Sequence, residues 1–130
     1  MASELTLKEQ NTISVITKHD LGDMIKPLIK EIHLFDSFVA GTSYLEDQIV
    51  LESLEVGEDL TLQREENKFD DKAILVLTAE KKKLGYVPRK DNVIFARLMD
   101  AGKMLKARIS GIEHRGSITQ ISVGIYLVDF

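Results

Sequence analysis

The stretch NKFDDKAILV, Asn67 to Val76, sets one aromatic ring among amide, ammonium and carboxylate groups and then turns apolar. Asp70 and Asp71 come soon after Glu65 and Glu66. Carboxylates gathered in so short a span could hold Mg²⁺ as a nuclease does, since that ion takes oxygen ligands and activates water. No lysine or histidine stands at a spacing suited to a general base, and carboxylates packed in a polar loop are usually just solvated. Phe69 poses the sharper question. Left in water, it forgoes burial worth about 1.5–3 kcal/mol. Either it folds back into a core, or it meets something outside the protein.

The other groups able to do chemistry narrow the classes. The chain has no cysteine, which removes disulfides, thiol nucleophiles and cysteine-based zinc sites. Its histidines, His19, His33 and His114, show no ligand spacing. No cofactor is expected. Arg64, Arg89 and Lys90, with the run Lys81, Lys82 and Lys83, are candidate anion contacts. Net charge is −4, which by itself argues against a polyanionic partner, but the charge is segregated. Residues 1–80 carry 7 Lys and Arg against 17 Asp and Glu, residues 81–115 carry 10 against 3, and residues 116–130 carry −1. Such a distribution gives either a basic face on an acidic body or charges that mix on folding.

The elements that position these groups follow from periodicity. At 130 residues, with 44% apolar and 29% charged residues, the chain fits one globular domain able to close its own core. No apolar run approaches the 18 or so residues of a membrane span, and the first ten residues lack the basic start and apolar run of a secretion signal. The expectation is a cytoplasmic protein. Residues 1–30 read as a helical extension with breaks at Gly22 and Pro27, and residues 31–130 as the domain. Within it, EIHLFDSFVAG has apolar residues on both phases, as in a strand covered on both faces. LEDQIVLESL reads as a short helix or an irregular crossing. LTLQRE alternates as a half-buried strand, ENKFDD is a loop, and KAILVLTA and KLGYVP form a hairpin around AEKKK. PRKDNVIFARLMDAG predicts a helix near 90–101, with Ile94 and Leu98, and Phe95 and Met99, at i, i+4. Pro88 lies at its start and Gly102 caps its end. KMLKARISGIE and SITQISVGIYLVDF are strands joined by the tight turn HRGS. Short strands, tight turns and one late helix predict a mainly β fold, a small closed or half-closed barrel with a flanking helix.

Three segments, VAGTSY at 39–44, LTLQREENKFDDKAILV at 60–76 and KLGYVPRK at 83–90, resemble in order and spacing the HIRAN domain. That family occurs in some Swi/Snf-type DNA-remodelling ATPases and as a stand-alone bacterial protein. The resemblance spans about residues 33–113. It implies an OB-like β-barrel and a DNA-binding module for single strands, especially free 3′ ends, in repair or replication-fork processing. A helicase or nuclease partner is the implied context. The sequence holds no G-x-x-x-x-G-K-[ST], so it carries no motor of its own.

Carried over by position, the resemblance makes Tyr44 a base-stacking platform and Phe69 the ring that packs on the terminal nucleotide. Asp70 becomes the acceptor of a 3′ hydroxyl, with Asn67 chiefly forming the turn. Tyr86, Arg89 and Lys90 come from the third segment. Arg89 and Lys90 would hold phosphates at a helix N-terminus, where cations otherwise oppose the dipole. Arg64 would reach the same groove or pair with Glu65 or Glu66. The chain departs from eukaryotic members at Ser43, where they place a basic residue, and in lacking a late aromatic, where it offers only His114 and Arg115. General single-strand binding is therefore the broader expectation. The reading from another class is a non-catalytic protein-interaction adaptor.

Overall fold

The computed structural model describes residues 29–129. The helical extension expected over 1–30 lies outside them but for its last two residues. The described unit is built of six strands and one helix: β1 (Lys30–Phe38), β2 (Asp59–Arg64), β3 (Ile74–Leu77), β4 (Lys83–Tyr86), α1 (Arg89–Asp100), β5 (Met104–Arg115) and β6 (Ile118–Asp129). Two 3₁₀ turns, Thr42–Tyr44 and Gln48–Ser53, cross between β1 and β2. The second is the crossing expected of LEDQIVLESL, started by the Asp47 carboxylate, which accepts from the Ile49 N–H at 3.1 Å.

The strands form one curled sheet in the order β1-β6-β5-β2-β3-β4. Its backbone is the long β5–β6 hairpin, paired from Met104 with Val128 to Arg115 with Ile118 around a left-handed Gly116. A register shift between Ile109 and Gly111 bends it. Alternation supplies the inner face: Leu60 and Leu62 from β2, Leu105, Ala107 and Ile109 from β5, and Ile121, Val123 and Ile125 from β6 are all buried. β3 is buried almost throughout, with Ile74 and Val76 at the centre of the core.

The two edge strands, β1 and β4, curl round to meet. Just beyond β1, Ala40 bridges antiparallel to Tyr86, the last residue of β4. The Ala40 N–H donates to the Tyr86 carbonyl at 2.8 Å, and the Tyr86 N–H to the Ala40 carbonyl at 2.9 Å. This is the partly open, OB-like barrel expected from the sequence. Closure needs Gly85: a Cβ there would lie 2.2 Å from the Ala40 carbonyl oxygen and 2.8 Å from Val39 Cγ1.

α1 starts after Pro88 and ends in a Schellman arrangement. Gly102, at φ +92°, gives its N–H to Met99 O, and Lys103 gives its own to Leu98 O. Its buried stripe differs from the expected one. Asn92, Phe95 and Ala96 face the sheet, whereas Ile94 is 69% exposed. β1 differs as well. It is largely exposed, Ile32 and Phe35 included, because it is an edge strand and not one covered on both faces.

The segregated charge mixes on folding. Asp59 on the neighbouring β2 and Glu31 on β1 bracket Lys106 and Arg108 of β5, with Arg108 Nε 2.7 Å from Asp59 Oδ1 and its Nη2 2.9 Å from Glu31 Oε1. Lys82, Arg89, Lys106 and Arg108 of the positive stretch thus have acidic partners from the first 80 residues.

The close approach at Gly85 yields a test. Gly85→Ala should lower stability by about 1–3 kcal/mol, as overpacking does, read as a lower urea midpoint at unchanged slope. In hydrogen exchange the Ala40 and Tyr86 amides should lose protection ahead of the β5–β6 amides.

Candidate nucleic-acid interface

The loop between β2 and β3 is held chiefly by polar contacts. Asn67 uses its side-chain oxygen twice, accepting from the N–H groups of Phe69 at 2.9 Å and Asp70 at 2.8 Å. This is an Asx-type turn. Its amide donates to Glu65 Oε2 at 3.0 Å, and the Tyr86 hydroxyl donates to the same oxygen at 2.7 Å. The Tyr86 and Asn67 donors hold the Glu65 carboxyl below its ordinary range, and Glu65 in turn raises the Tyr86 phenol. Asn67, Glu65 and Tyr86 therefore tie the loop to β4.

Phe69 does not fold back into the core. It is 75% exposed. Beside it, Asp70 is held on both oxygens: Oδ1 accepts the Lys72 N–H at 2.9 Å, and Oδ2 accepts the Asn92 amide of α1 at 2.8 Å. Arg89 Nε lies 3.6 Å from Oδ2. The Lys72 N–H, the Asn92 amide and the Arg89 charge together keep the Asp70 carboxyl below its usual value against the opposing effect of burial. A carboxylate offers about four lone-pair positions, so these two hydrogen bonds leave Asp70 able to accept another.

Five of the eight residues expected at the site line one groove of about 350 Å³: Asn67, Phe69, Asp70, Tyr86 and Arg89, together with Ala40, Gly41, Ala73 and Val87. Tyr44 is 89% exposed and lines a separate recess of about 460 Å³ with Lys82 and Lys83. The two hollows adjoin. The Tyr44 N–H donates to Gly41 O at 3.0 Å, and the Lys83 ammonium sits 4.8 Å over the Tyr86 ring.

The remaining two cations are placed elsewhere. Arg64 pairs with Asp100 at the end of α1, not with Glu65 or Glu66: its Nε is 2.9 Å from Asp100 Oδ1. Its other donors reach the carbonyls of Ala73 at 2.7 Å and Asp71 at 3.0 Å. With its side chain 15% exposed, it is a strut under the loop. Lys90 turns away from the groove, lying 3.4 Å from Asp91 and 5.8 Å over the Phe38 ring. Asp91 thus supplies the negative charge that the helix start favours. Arg89 is the one cation lining the groove, 77% exposed, with its Nη2 donating to Phe69 O at 3.1 Å.

Glu65, Glu66, Asp70 and Asp71 do not converge on a shared point, and no group of three or more potential metal ligands occurs among the described residues. Two contributors escaped the sequence reading. Glu65 is the hub between Asn67 and Tyr86, and Asn92 is the only polar residue buried on α1. Asn92 had a visible signal: with Phe95, Ala96 and Met99 it lies at the i, i+3, i+4, i+7 positions of one helix face.

Because the Asp70 value is depressed on folding, the stability its hydrogen bonds supply is complete above the ordinary aspartate value of about 3.9. It is lost as pH falls through the lowered value. The Lys72 amide resonance should therefore report a titration midpoint beneath that ordinary value. A midpoint at or above it would show that Asp70 lacks these partners in solution.

Comparison with known proteins identifies the family and the fold. The family model of the HIRAN domain matches residues 32–127, and so includes the last strand that the sequence resemblance left out. Among solved structures, a protein from Lactobacillus plantarum superposes with a TM-score of 0.71 at 32% identity, covering 78% of this chain and 99% of that one. The HIRAN domain of human HLTF superposes with a TM-score of 0.60 at 16% identity, covering 75% of this chain and 78% of that one, a likeness of fold. No curated protein matches. By a family match over most of its length, the chain belongs to the HIRAN domain family.

Proposed function

We propose that this HIRAN domain binds single-stranded DNA by its free 3′ end. Family membership supplies the coarser statement, since HIRAN domains are DNA-binding modules. The finer one rests on a single observation: an exposed aromatic ring, a carboxylate and one arginine meet in the same groove. Phe69 offers a face to the last base or sugar. Stacking of this kind is worth about 1–3 kcal/mol per base and tolerates any sequence. Asp70, fixed from behind by Lys72 and Asn92, accepts the 3′ hydroxyl. Arg89 contacts the adjacent phosphate. The strand then passes towards Tyr44, where a further base stacks beside Lys82 and Lys83.

A terminal 3′ phosphate loses the hydroxyl donor and brings negative charge to Asp70. A hydrogen bond to a charged group contributes about 1.5–3 kcal/mol, so oligonucleotides ending in 3′-OH should bind about tenfold or more tightly than the same strands ending in 3′ phosphate. Fluorescence anisotropy with 3′-OH, 3′-phosphate and circular strands tests this. Tyr44→Ala should weaken all three to a similar extent, whereas Asp70→Ala should erase the difference between the ends. If the wild-type protein binds all three alike, end recognition is wrong and only generic single-strand binding is left.

Salt separates the arginines. Single-strand affinity falls with a log–log slope of about −0.7 per neutralised phosphate. Contacts from Arg89, Lys82 and Lys83 give a slope near −2, by the same rule. Arg89→Ala should make it shallower by about 0.7. Arg64→Ala should leave the slope unchanged and lower the unfolding midpoint instead, because its guanidinium is spent on Asp100 and the loop carbonyls. An unchanged slope in Arg89→Ala would remove that residue from the interface.

A further inference from the structure

Asn92 occupies a position where an apolar residue would pack. It is 2% exposed on the inner stripe of α1, beside Phe95 and Ala96. A buried amide is costly unless its polar atoms are satisfied, and a leucine there would continue the stripe. Its side chain reaches Asp70 instead, donating from Nδ2 to Oδ2 at 2.8 Å. The orientation of the amide follows from the pairing, since the flipped form would set its oxygen against a carboxylate. On the other oxygen, the Lys72 donor is backbone. Asp70 is thus gripped by two donors that cannot act as acceptors, one on the loop and one on the helix.

We infer that Asn92 is the positioning residue that keeps Asp70 an ionised acceptor with its open side towards the groove, and that it thereby sets the preference for a hydroxyl end. The second half of this inference rests on the 3′-end reading above. Asn92 touches no ligand and acts through Asp70. The charges around Asp70 do not duplicate this role. Arg89 is 77% exposed at 3.6 Å, Arg64 is committed to Asp100, Glu65 is engaged by Asn67 and Tyr86, and Asp91 accepts from Ser37 at 2.9 Å. Asp71 and Lys72 flank Asp70 in the chain.

The decisive variant is Asn92→Asp, which keeps size and shape but replaces the donor by a carboxyl group. Two carboxyls at hydrogen-bond distance share one proton, and the pair then titrates with its upper apparent value well above that of an ordinary carboxylate. While the proton is shared, the new side chain donates to Asp70 as the amide did. Once it leaves, the two charges repel and the grip is lost. Two measurements follow across roughly pH 5–8.5: carbon-13 titration of the side-chain carboxyls in the free protein, and anisotropy with an oligothymidylate ending in 3′-OH or in 3′ phosphate.

The expected result is a wild type whose hydroxyl preference changes across this window only as the 3′ phosphate takes up its second charge at about pH 6. Asn92→Asp keeps that preference at the acid end and loses it, roughly tenfold or more, as its raised carboxyl titrates. Asn92→Leu, which restores packing without a donor, loses the preference at every pH while still binding the phosphate-ended strand, and its Asp70 titrates higher than in the wild type. Should Asn92→Leu fail to fold, the alkaline arm of Asn92→Asp gives the same information, since there the donor is lost. An Asp70 titration and a hydroxyl preference untouched in Asn92→Asp would overturn the inference and leave Asn92 a packing residue. Equal binding of both ends by the wild type, together with a shifted Asp70 titration in the variants, would overturn the end reading and uphold Asn92 as the holder of Asp70.

Discussion

The pair of backbone hydrogen bonds between Ala40 and Tyr86 does more than end a sheet. β1 and β4 are the outer strands of the six, and without this bridge both would present open edges. An unpaired edge is a site for unwanted strand addition. Closing the sheet also sets the distance between two segments far apart in sequence, since Ala40 and Gly41 come from the end of β1, and Tyr86 and Val87 from the end of β4. These four residues line the groove. The position of the groove is therefore a consequence of closure, and closure depends on the missing side chain of Gly85.

The β2–β3 loop completes the groove by different means. Its one buried apolar residue is Ala73, next to β3, and the one aromatic it contains faces solvent. Its order comes from a polar net: Asn67 accepts twice and donates once, Asp70 accepts from loop and helix, and Arg64 collects the carbonyls of Ala73 and Asp71 while bound to Asp100. Each such hydrogen bond contributes only about 0.5–1.5 kcal/mol net. Sharing members, they fix one another, and losing any one leaves a neighbour unpaired. A ring held out in water by such a frame is ready to stack without first paying the ordering entropy of a free loop.

Much of this was legible in the sequence, and the gaps have physical causes. Alternation in LTLQRE, the Gly102 cap and the barrel architecture follow from local rules, and they hold. β1 was read as covered on both faces because apolar residues on both phases look alike in an inner strand and in an edge strand, and only the pairing order tells them apart. Charge segregation along the chain is compatible with a basic face or with charges that mix on folding. Around Lys106 and Arg108 the signs mix, because antiparallel β2–β5 pairing brings Asp59 opposite Arg108 and the Glu31 side chain reaches both cations from β1. Sequence distance carries no information about that. The turn-forming role of Asn67 is legible because an Asx turn is a local structure, whereas Phe69 and Asp70 stand out through the resemblance of their loop to the family motif. Arg64 and Lys90 were not legible, since a long side chain goes to whichever acceptor the fold provides, and here those are Asp100 and Asp91.

The different fates of Arg64 and Arg89 bear on how a protein of net charge −4 can hold an anionic strand. One arginine has its donors consumed by the fold, and the other keeps most of its surface open at the groove. Long-range attraction in this molecule is weak, since the Lys106 and Arg108 charges are already balanced by Glu31 and Asp59. On the proposed reading, the affinity must then come from short-range terms: ring faces, the Arg89 guanidinium, the Lys82 and Lys83 ammonium groups and one acceptor. Such terms require the strand to be unstacked and its last sugar to be accessible. A continuous duplex offers neither, and its higher charge density gains little from so few cations. On that reading, weak electrostatics works in favour of selectivity, because a strongly basic groove would hold any stretch of backbone, whereas the Asp70 acceptor would be satisfied only where a strand ends.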